Sequence, residues 1–303
     1  MANLGKRAGL KFIYGMRQIF ANTPVQKWKL TAYLYPKFFH ILYGKKDVQA
    51  SYKGIEMILP TKDVTIVPSI LGGYFESLEI DVFKALMPKT STVIDVGGNI
   101  GLYAILAGQL NPTAKIASFE PIEENIQYFN KNLKLNKVKN VTIVNSAVGA
   151  TTGELEIFLS ATNVGTHSAA QQVTLSSNSV MVPMVSIDDY VKKFKLKPDV
   201  IKVDVEGYDG FVFDGSIDTL KKYRPTVFAE YGPAMMKKCR YEPAKFLDIL
   251  FDNCDEAYLF EEKTGKLKKV EKIELLNKSI SIVDNIVLVS NKDHKKIIRE
   301  FAE

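Results

Sequence analysis

Four short stretches of this 303-residue chain combine acids, glycines and small polar residues in a way that could hold a ligand and act on it. In Asp95-Val96-Gly97-Gly98-Asn99-Ile100-Gly101 an apolar run ends in an acid and opens into a glycine turn. Glycine lets the backbone approach a ligand closely and take positive φ, and a helix starting there offers unpaired N–H groups. A dinucleotide fingerprint would need glycine where Asn99 and Leu102 stand, and a phosphate-binding G-x-x-x-x-G-K-[ST] loop is absent. A carboxylate beside such a turn repels a pyrophosphate but suits a ligand bearing an ammonium or sulfonium.

The second stretch, Ser118-Phe119-Glu120-Pro121, puts an acid at the tip of the next apolar run, where it can accept hydrogen bonds from both hydroxyls of a ribose. In the third, Asn145-Ser146-Ala147-Val148, small side chains leave room for an adenine ring whose edge neighbouring groups can bond. The fourth, Ile201-Lys202-Val203-Asp204-Val205-Glu206-Gly207, brings two more acids to the same rim. Acids at successive strand tips of one sheet point to a site, because ligands of open α/β sheets gather at that edge.

The elements that must position these residues are legible as alternating patterns. Strands are expected at 93–96, 116–120, 141–144, 200–205 and 226–230, and helices at 100–110, 123–135, 187–194, 211–222 and 243–251. Strands at 257–260 and 280–289 close the series, and two more, 55–59 and 64–67, precede a helix over 75–86. A hairpin-like pair, 154–159 and 180–185, brackets a polar segment of Ser, Thr, Asn and Gln. Alternating β and α with near-continuous apolar strands implies a doubly wound α/β fold, its parallel sheet covered on both faces.

The motifs together resemble the FkbM family of S-adenosylmethionine-dependent methyltransferases. D-V-G-G-N-I-G at 95, F-E-P at 119, N-S-A-V-G at 145, I-K-V-D-V-E-G at 201 and P-T-V-F-A-E at 225 carry the resemblance, which runs from about Gly72 to Val289 and includes G-G-Y-F-E ending at Glu76. It implies a Rossmann-like class I methyltransferase sheet of seven strands, the last antiparallel, with S-adenosylmethionine as cofactor. Asp95, Gly97, Asn99 and Gly101 would hold its methionine part, Glu120 its ribose, and Ser146 with Ala147 its adenine; Glu76 joins the cofactor set. The family usually has Glu two residues after its E-G pair, where this chain has Asp209.

The implied reaction is methylation of a hydroxyl on a sugar, glycan or lipid-linked acceptor. An alcohol needs alignment and a base to take its proton late in the transfer. The candidates are His167, one of three histidines, together with Asp204 and Glu206; those two acids could instead chelate a divalent ion. Transfer to the nitrogen of an amino sugar or peptide amine is the alternative in the same fold. A non-catalytic module binding an anionic surface is the alternative outside it.

Bulk charge separates two regions, a basic aromatic helical extension over 1–50 and the methyltransferase domain over 51–303 with a β-rich lead-in and an insertion around 150–185. Of the net +6, nine basic residues and no acid fall in residues 1–46, leaving 31 basic and 34 acidic residues and a net of −3 for the remainder. Nucleic-acid binding is therefore not expected from charge alone. The extension reads as an arm that packs on the body or meets an anionic membrane surface. Two unclustered cysteines, Cys239 and Cys254, and no apolar run of membrane-spanning length lead us to expect a cytoplasmic protein, peripheral to the membrane at most.

Overall fold

The computed structural model describes residues 39–41, 43–44, 46–160, 167–171 and 177–302. The expected helical arm before residue 39 and most of the polar insertion, including Asn163 to Thr166, lie outside these residues.

A hairpin, β1 (Val48–Tyr52) with β2 (Ile55–Leu59), leads through α1 (Ile66–Gly72) and α2 (Ser77–Leu86) into the alternating body. There β3 (Thr92–Val96), α3 (Leu102–Leu110), β4 (Lys115–Phe119), α4 (Glu123–Leu135) and β5 (Val141–Val144) form one half. The insertion folds as a separate three-stranded sheet from β6 (Ala147–Val148), β7 (Gly153–Phe158) and β8 (Ser179–Val185). The other half follows as α5 (Ile187–Phe194), β9 (Val200–Val203), α6 (Asp209–Asp214), α7 (Ile217–Tyr223), β10 (Thr226–Tyr231), α8 (Pro233–Lys238), α9 (Pro243–Asp252) and β11 (Glu256–Glu261). The chain continues with β12 (Lys266–Lys269), α10 (Lys272–Leu276), β13 (Asp284–Val289) and α11 (Lys292–Glu300).

The main sheet runs β5-β4-β3-β9-β10-β13-β11-β12. Among the described residues it has eight strands rather than the expected seven: β13 is the antiparallel insert between β10 and β11, and β12 adds itself antiparallel at the β11 edge. The four-residue run Lys266-Leu267-Lys268-Lys269 has one apolar side chain, so it carries no strand pattern of its own; pairing with β11 and burial of Leu267 make it one.

Period-two alternation sends side chains to two cores. Val93, Ile116, Val200 and Phe228 pack with α2, α3 and Phe129 of α4, while Ile94, Ala117, Ile201 and Val227 pack with Val191, Val212 and Phe246 of α5, α6 and α9. The strand expected at 64–67 is instead the start of α1. Asp63 accepts the N–H groups of Thr65 and Ile66 at 2.7 and 2.8 Å, and Pro68 falls in the first turn, where its missing N–H is not needed. The single helix expected at 211–222 is two, because Gly215 turns there with its backbone against that of Gly149; a Cβ would lie 2.2 Å from the Gly149 carbonyl oxygen. Of the strand expected at 280–289 only Asp284–Val289 forms, and Ile280, Ile282 and Val283 are exposed. No helix among the described residues is long and apolar enough to cross a membrane.

Candidate active site

Sheet register explains how the site is assembled. On the face covered by α2 and α3, a core row of Val93, Ile116 and Val200 is followed two residues on by Asp95, Ser118, Lys202 and Phe228, all in register. Two residues further, at the carboxyl ends of the strands, come Gly97, Glu120, Asp204 and Glu230. The apolar face thus turns polar at the edge where ligands of such sheets bind. A cavity of about 230 Å³ opens there, and all the candidate catalytic and cofactor residues taken from the sequence line it except Gly101; Asp209 does not line it either.

The β3–α3 turn forms its floor. The N–H groups of Gly97 and Gly98 both donate to the Phe119 carbonyl, at 3.0 and 2.9 Å, tying the turn to the end of β4. Gly97 has φ +86°, and a Cβ there would sit 2.0 Å from the Asp204 carbonyl oxygen, so the turn lies directly against the tip of β9. Glu120 closes it from the other side: Oε2 accepts from the Asn99 N–H at 2.8 Å, and Oε1 from the Ile122 N–H and the Asn125 amide at 2.9 and 3.2 Å. Burial pushes the Glu120 carboxyl up to about 7 against the opposing pull of those N–H donors.

Gly101 acts elsewhere. It stands at the start of α3 with φ +96°, and a Cβ would come within 2.3 Å of the Phe129 ring. Gly101→Ala is therefore expected to lower the melting temperature by about 5–10 °C through strain and overpacking. A melting curve indistinguishable from wild type would show that α4 can move away.

Two buried oxygens point to a ligand. Asp95 is 1 % exposed; its Oδ2 accepts from the Ser118 hydroxyl at 2.7 Å, but Oδ1 has no hydrogen-bond partner among the described residues. Asn99 Oδ1 is likewise buried without a partner, at φ +48°. Native proteins rarely leave such atoms unmatched, so a ligand supplying donors or positive charge fits this end. Ser146 is satisfied differently, its hydroxyl donating to the Pro183 carbonyl at 2.9 Å, which leaves Ala147 beside it as the small residue of the wall.

Beside Asp95, on the neighbouring strand, acids crowd around the Lys202 ammonium. Lys202 is 4 % exposed, with Nζ 3.2 Å from Asp204 Oδ2 and 4.5 Å from the centre of the Tyr103 ring. Burial works against its charge, but Asp204, Glu76, Asp95 and Glu79 outweigh this and hold the proton more firmly than usual. The Tyr103 hydroxyl donates to Glu76 Oε2 at 2.7 Å, and the Asn285 amide to Glu79 Oε2 at 2.6 Å. Burial raises both Glu76 and Glu79. Glu206 is pushed up to about 8 by burial and then by Asp204 and Asp209.

Glu206 also stands at φ +53°, with Gly207 at +87°. The Ser168 hydroxyl donates to the Glu206 carbonyl at 3.1 Å, and Asp209 Oδ2 accepts the Gly207 N–H at 3.2 Å. Asp209 is buried behind the cavity wall, so its short arm braces this turn. His167 lines the cavity with Nδ1 accepting the Ser160 N–H at 3.0 Å, which leaves Nε2 as the protonated nitrogen of the neutral ring. Burial, then Lys62, holds its pKa below the ordinary value.

Lys202, Tyr103, Glu79 and Tyr208 are part of this setting and were not singled out from the sequence. A lysine inside an otherwise apolar central strand was the available signal for the first, and the three-residue spacing of Glu76 and Glu79, which puts both on one helical face, for Glu79. Tyr103 and Tyr208 carry no such signal.

The model of the methyltransferase FkbM domain matches residues 95–278. Methyltransferase 1 of Beauveria bassiana is 25% identical over 140 residues, covering 46% of this chain and 53% of its own, so the chain spans about half the length of that curated relative. Among solved structures, a methyltransferase FkbM from Methylobacillus flagellatus KT is 13% identical, with a TM-score of 0.41, covering 75% of this chain and 54% of that one. The tRNA (uracil-54, C5)-methyltransferase of Pyrococcus abyssi, solved with S-adenosyl-L-homocysteine, is 10% identical, with a TM-score of 0.41 and coverages of 81% and 44%. The family model spans more than half of the sequence, and the chain belongs to the FkbM methyltransferase domain family.

Proposed function

We propose that the protein transfers the methyl group of S-adenosylmethionine to a hydroxyl of a sugar or sugar-bearing acceptor, glycolipids included. The observation that carries this reading is the buried, unpartnered Asp95 Oδ1 beside the Gly97 turn, where a cationic ligand gains most and a side chain has no room. When bound, the cofactor supplies an electrophilic methyl group on a sulfonium. Asp95 and the backbone of the Gly97 turn would hold its methionine part, Glu120 its ribose, and Ala147 the flank of its adenine.

The chain's own residues do the rest. As the acceptor oxygen bonds to the methyl carbon and the carbon–sulfur bond breaks, the hydroxyl proton must leave. Glu206, with its pKa pushed up to about 8, suits that task near neutral pH, and a positioned base contributes about 10²- to 10⁴-fold. His167, with its Nδ1 lone pair already engaged, offers an Nε2–H donor that can fix an acceptor oxygen. Asp204, paired with Lys202, offers a further acceptor for a hydroxyl.

Isothermal titration with S-adenosylhomocysteine tests the core of this reading. Wild type should bind, and Asp95→Ala and Glu120→Ala should each weaken binding by about tenfold or more, the scale of one charged hydrogen bond. Absence of binding to wild type would sink the proposal. Methyl-labelled cofactor with candidate glycans and mass spectrometry then identifies the acceptor, and replacement of Glu206 by Gln should slow transfer by about 10²-fold.

A further inference from the structure

We propose that the corner of the sheet made by α8 and residues 276–283 is a docking surface for an anionic lipid bilayer, beside the cavity and at the same edge. The surface stands without the methyl-transfer reading; the consequence that rests on that reading is that the acceptor is held in the membrane.

Three aliphatic side chains stand in four consecutive positions here, outside every core: Ile280, Ile282 and Val283 are 49%, 41% and 49% exposed. The segment 276–283, Leu-Asn-Lys-Ser-Ile-Ser-Ile-Val, contains one base and no acid, and that base, Lys278, pairs with Asp284 at 2.8 Å. Single exposed aliphatics are ordinary, whereas a contiguous run rimmed by polar residues marks a contact surface. Sheet register sets this run beside the cavity. Asp284 pairs with Tyr231 and Asn285 with Glu230, a lining residue, while the Asn285 amide holds Glu79.

Positive charge comes from α8. It begins two residues after Tyr231 and packs on the turn that follows Glu206: a Cβ on Gly207 would lie 2.8 Å from the Met235 carbonyl carbon. Met236 of α8 and Leu275 of α10 are buried in one core, so α8 and the 276–283 segment border the same face of the sheet. Lys237, Lys238 and Arg240 are exposed, and none of their side chains has an ion pair or hydrogen bond among the described residues. From Gly232 to Leu247 the sequence holds four bases and one acid, Glu242.

An aliphatic run beside unpaired cations matches the boundary layer of an anionic bilayer, where apolar side chains enter the acyl region and Lys and Arg stay among the phosphates. A second copy of this chain fits worse, because a two-fold contact would bring the α8 cations of both copies together. A nucleic acid would answer the cations and leave the aliphatic run in water.

Co-sedimentation of the full chain with phosphatidylcholine vesicles, with and without phosphatidylserine, tests the surface. Wild type should pellet with the phosphatidylserine vesicles and come off in high salt. Ile280→Ser, Ile282→Ser and Val283→Ser combined should lower the partition coefficient by about tenfold or more, and Lys237→Gln with Lys238→Gln by about tenfold. Lys192→Gln with Lys193→Gln makes the same charge change at the end of α5 that leads into β9, at the far edge of the sheet, and should lower it by less than about twofold. Residues 1–46, with nine bases and no acid, are present in every variant, so differences among the variants report the proposed surface. No binding by wild type, full binding by the triple variant, or an equal loss from the α5 pair would each overturn the proposal. So would a dimer in sedimentation velocity that the triple variant abolishes, which would give the surface to a second copy. Failure of wild type to bind S-adenosylhomocysteine would sink the methyl-transfer reading alone and leave the vesicle result standing.

Discussion

Gly97→Ala is expected to raise the dissociation constant for S-adenosylhomocysteine by about 100-fold or more. Two costs combine. The residue sits at φ +86°, where a Cβ is strained by about 1 kcal/mol or more, and that Cβ would lie 2.0 Å from a backbone oxygen that cannot swing aside. Relief requires the β3–α3 turn to part from the tip of β9, which moves Asp95, Asn99 and Asp204 relative to one another. Gly54→Ala supplies the control: its φ is +100°, but nothing lies within 4 Å of the added carbon. It should cost stability by about 1 kcal/mol and leave binding untouched. Wild-type affinity in Gly97→Ala would mean that the ligand does not use this turn.

Lys202→Met is expected to destabilise the ligand-free protein by about 2 kcal/mol at pH 8 and by less than half as much at pH 5.5. Breaking a buried pair costs about 3–5 kcal/mol, discounted here because the Asp204 side chain is 37% exposed. The sign follows from linkage. Burial raises Glu76, Glu79 and Asp209, the last to about 7, so they are protonated more readily folded than unfolded, and the Lys202 ammonium pulls each of them back down. Their contribution is complete below their unfolded values near 4 and is lost as pH rises through 7 to 8. Wild type should therefore melt lower at pH 8.5 than at pH 5.5, and removal of the one ammonium among them should steepen that decline. Thermal melts across this range would refute the charge-balancing role if Lys202→Met lowered the curve equally at every pH.

Much of the scaffold could be read before any coordinates. Strand 55–59 and helices 123–135 and 187–194 appear at the bounds expected, because amphipathic spacing and local signals such as the Ser186 cap, whose hydroxyl accepts the Asp189 N–H, agree with the tertiary environment. Where β-branched residues competed with punctuation, pattern misled: Thr65-Ile66-Val67 looked like a strand, although Asp63 and Pro68 together mark a helix start. Elements made by tertiary pairing, such as β12, had no local signature. At the site, acids and glycines at strand tips could be located because strand ends are fixed by the apolar runs. The Tyr103–Glu76–Lys202 arrangement depends on the phases of two helices against a strand, and spacing along the chain does not encode it.

The eighth strand has a consequence for self-association. A sheet ending at β11 would present a row of free N–H and C=O groups, a template for another chain's strand. Instead β12 covers that margin with three lysines in four positions, and the Leu267 N–H is already taken by the Phe301 carbonyl at 2.9 Å. Like charges stacked on an approaching copy and a donor already occupied make strand-by-strand growth unfavourable there. Solubility at high concentration is thus guarded at the β12 margin by composition as well as by shape, and β5 is left as the sheet's other terminal strand.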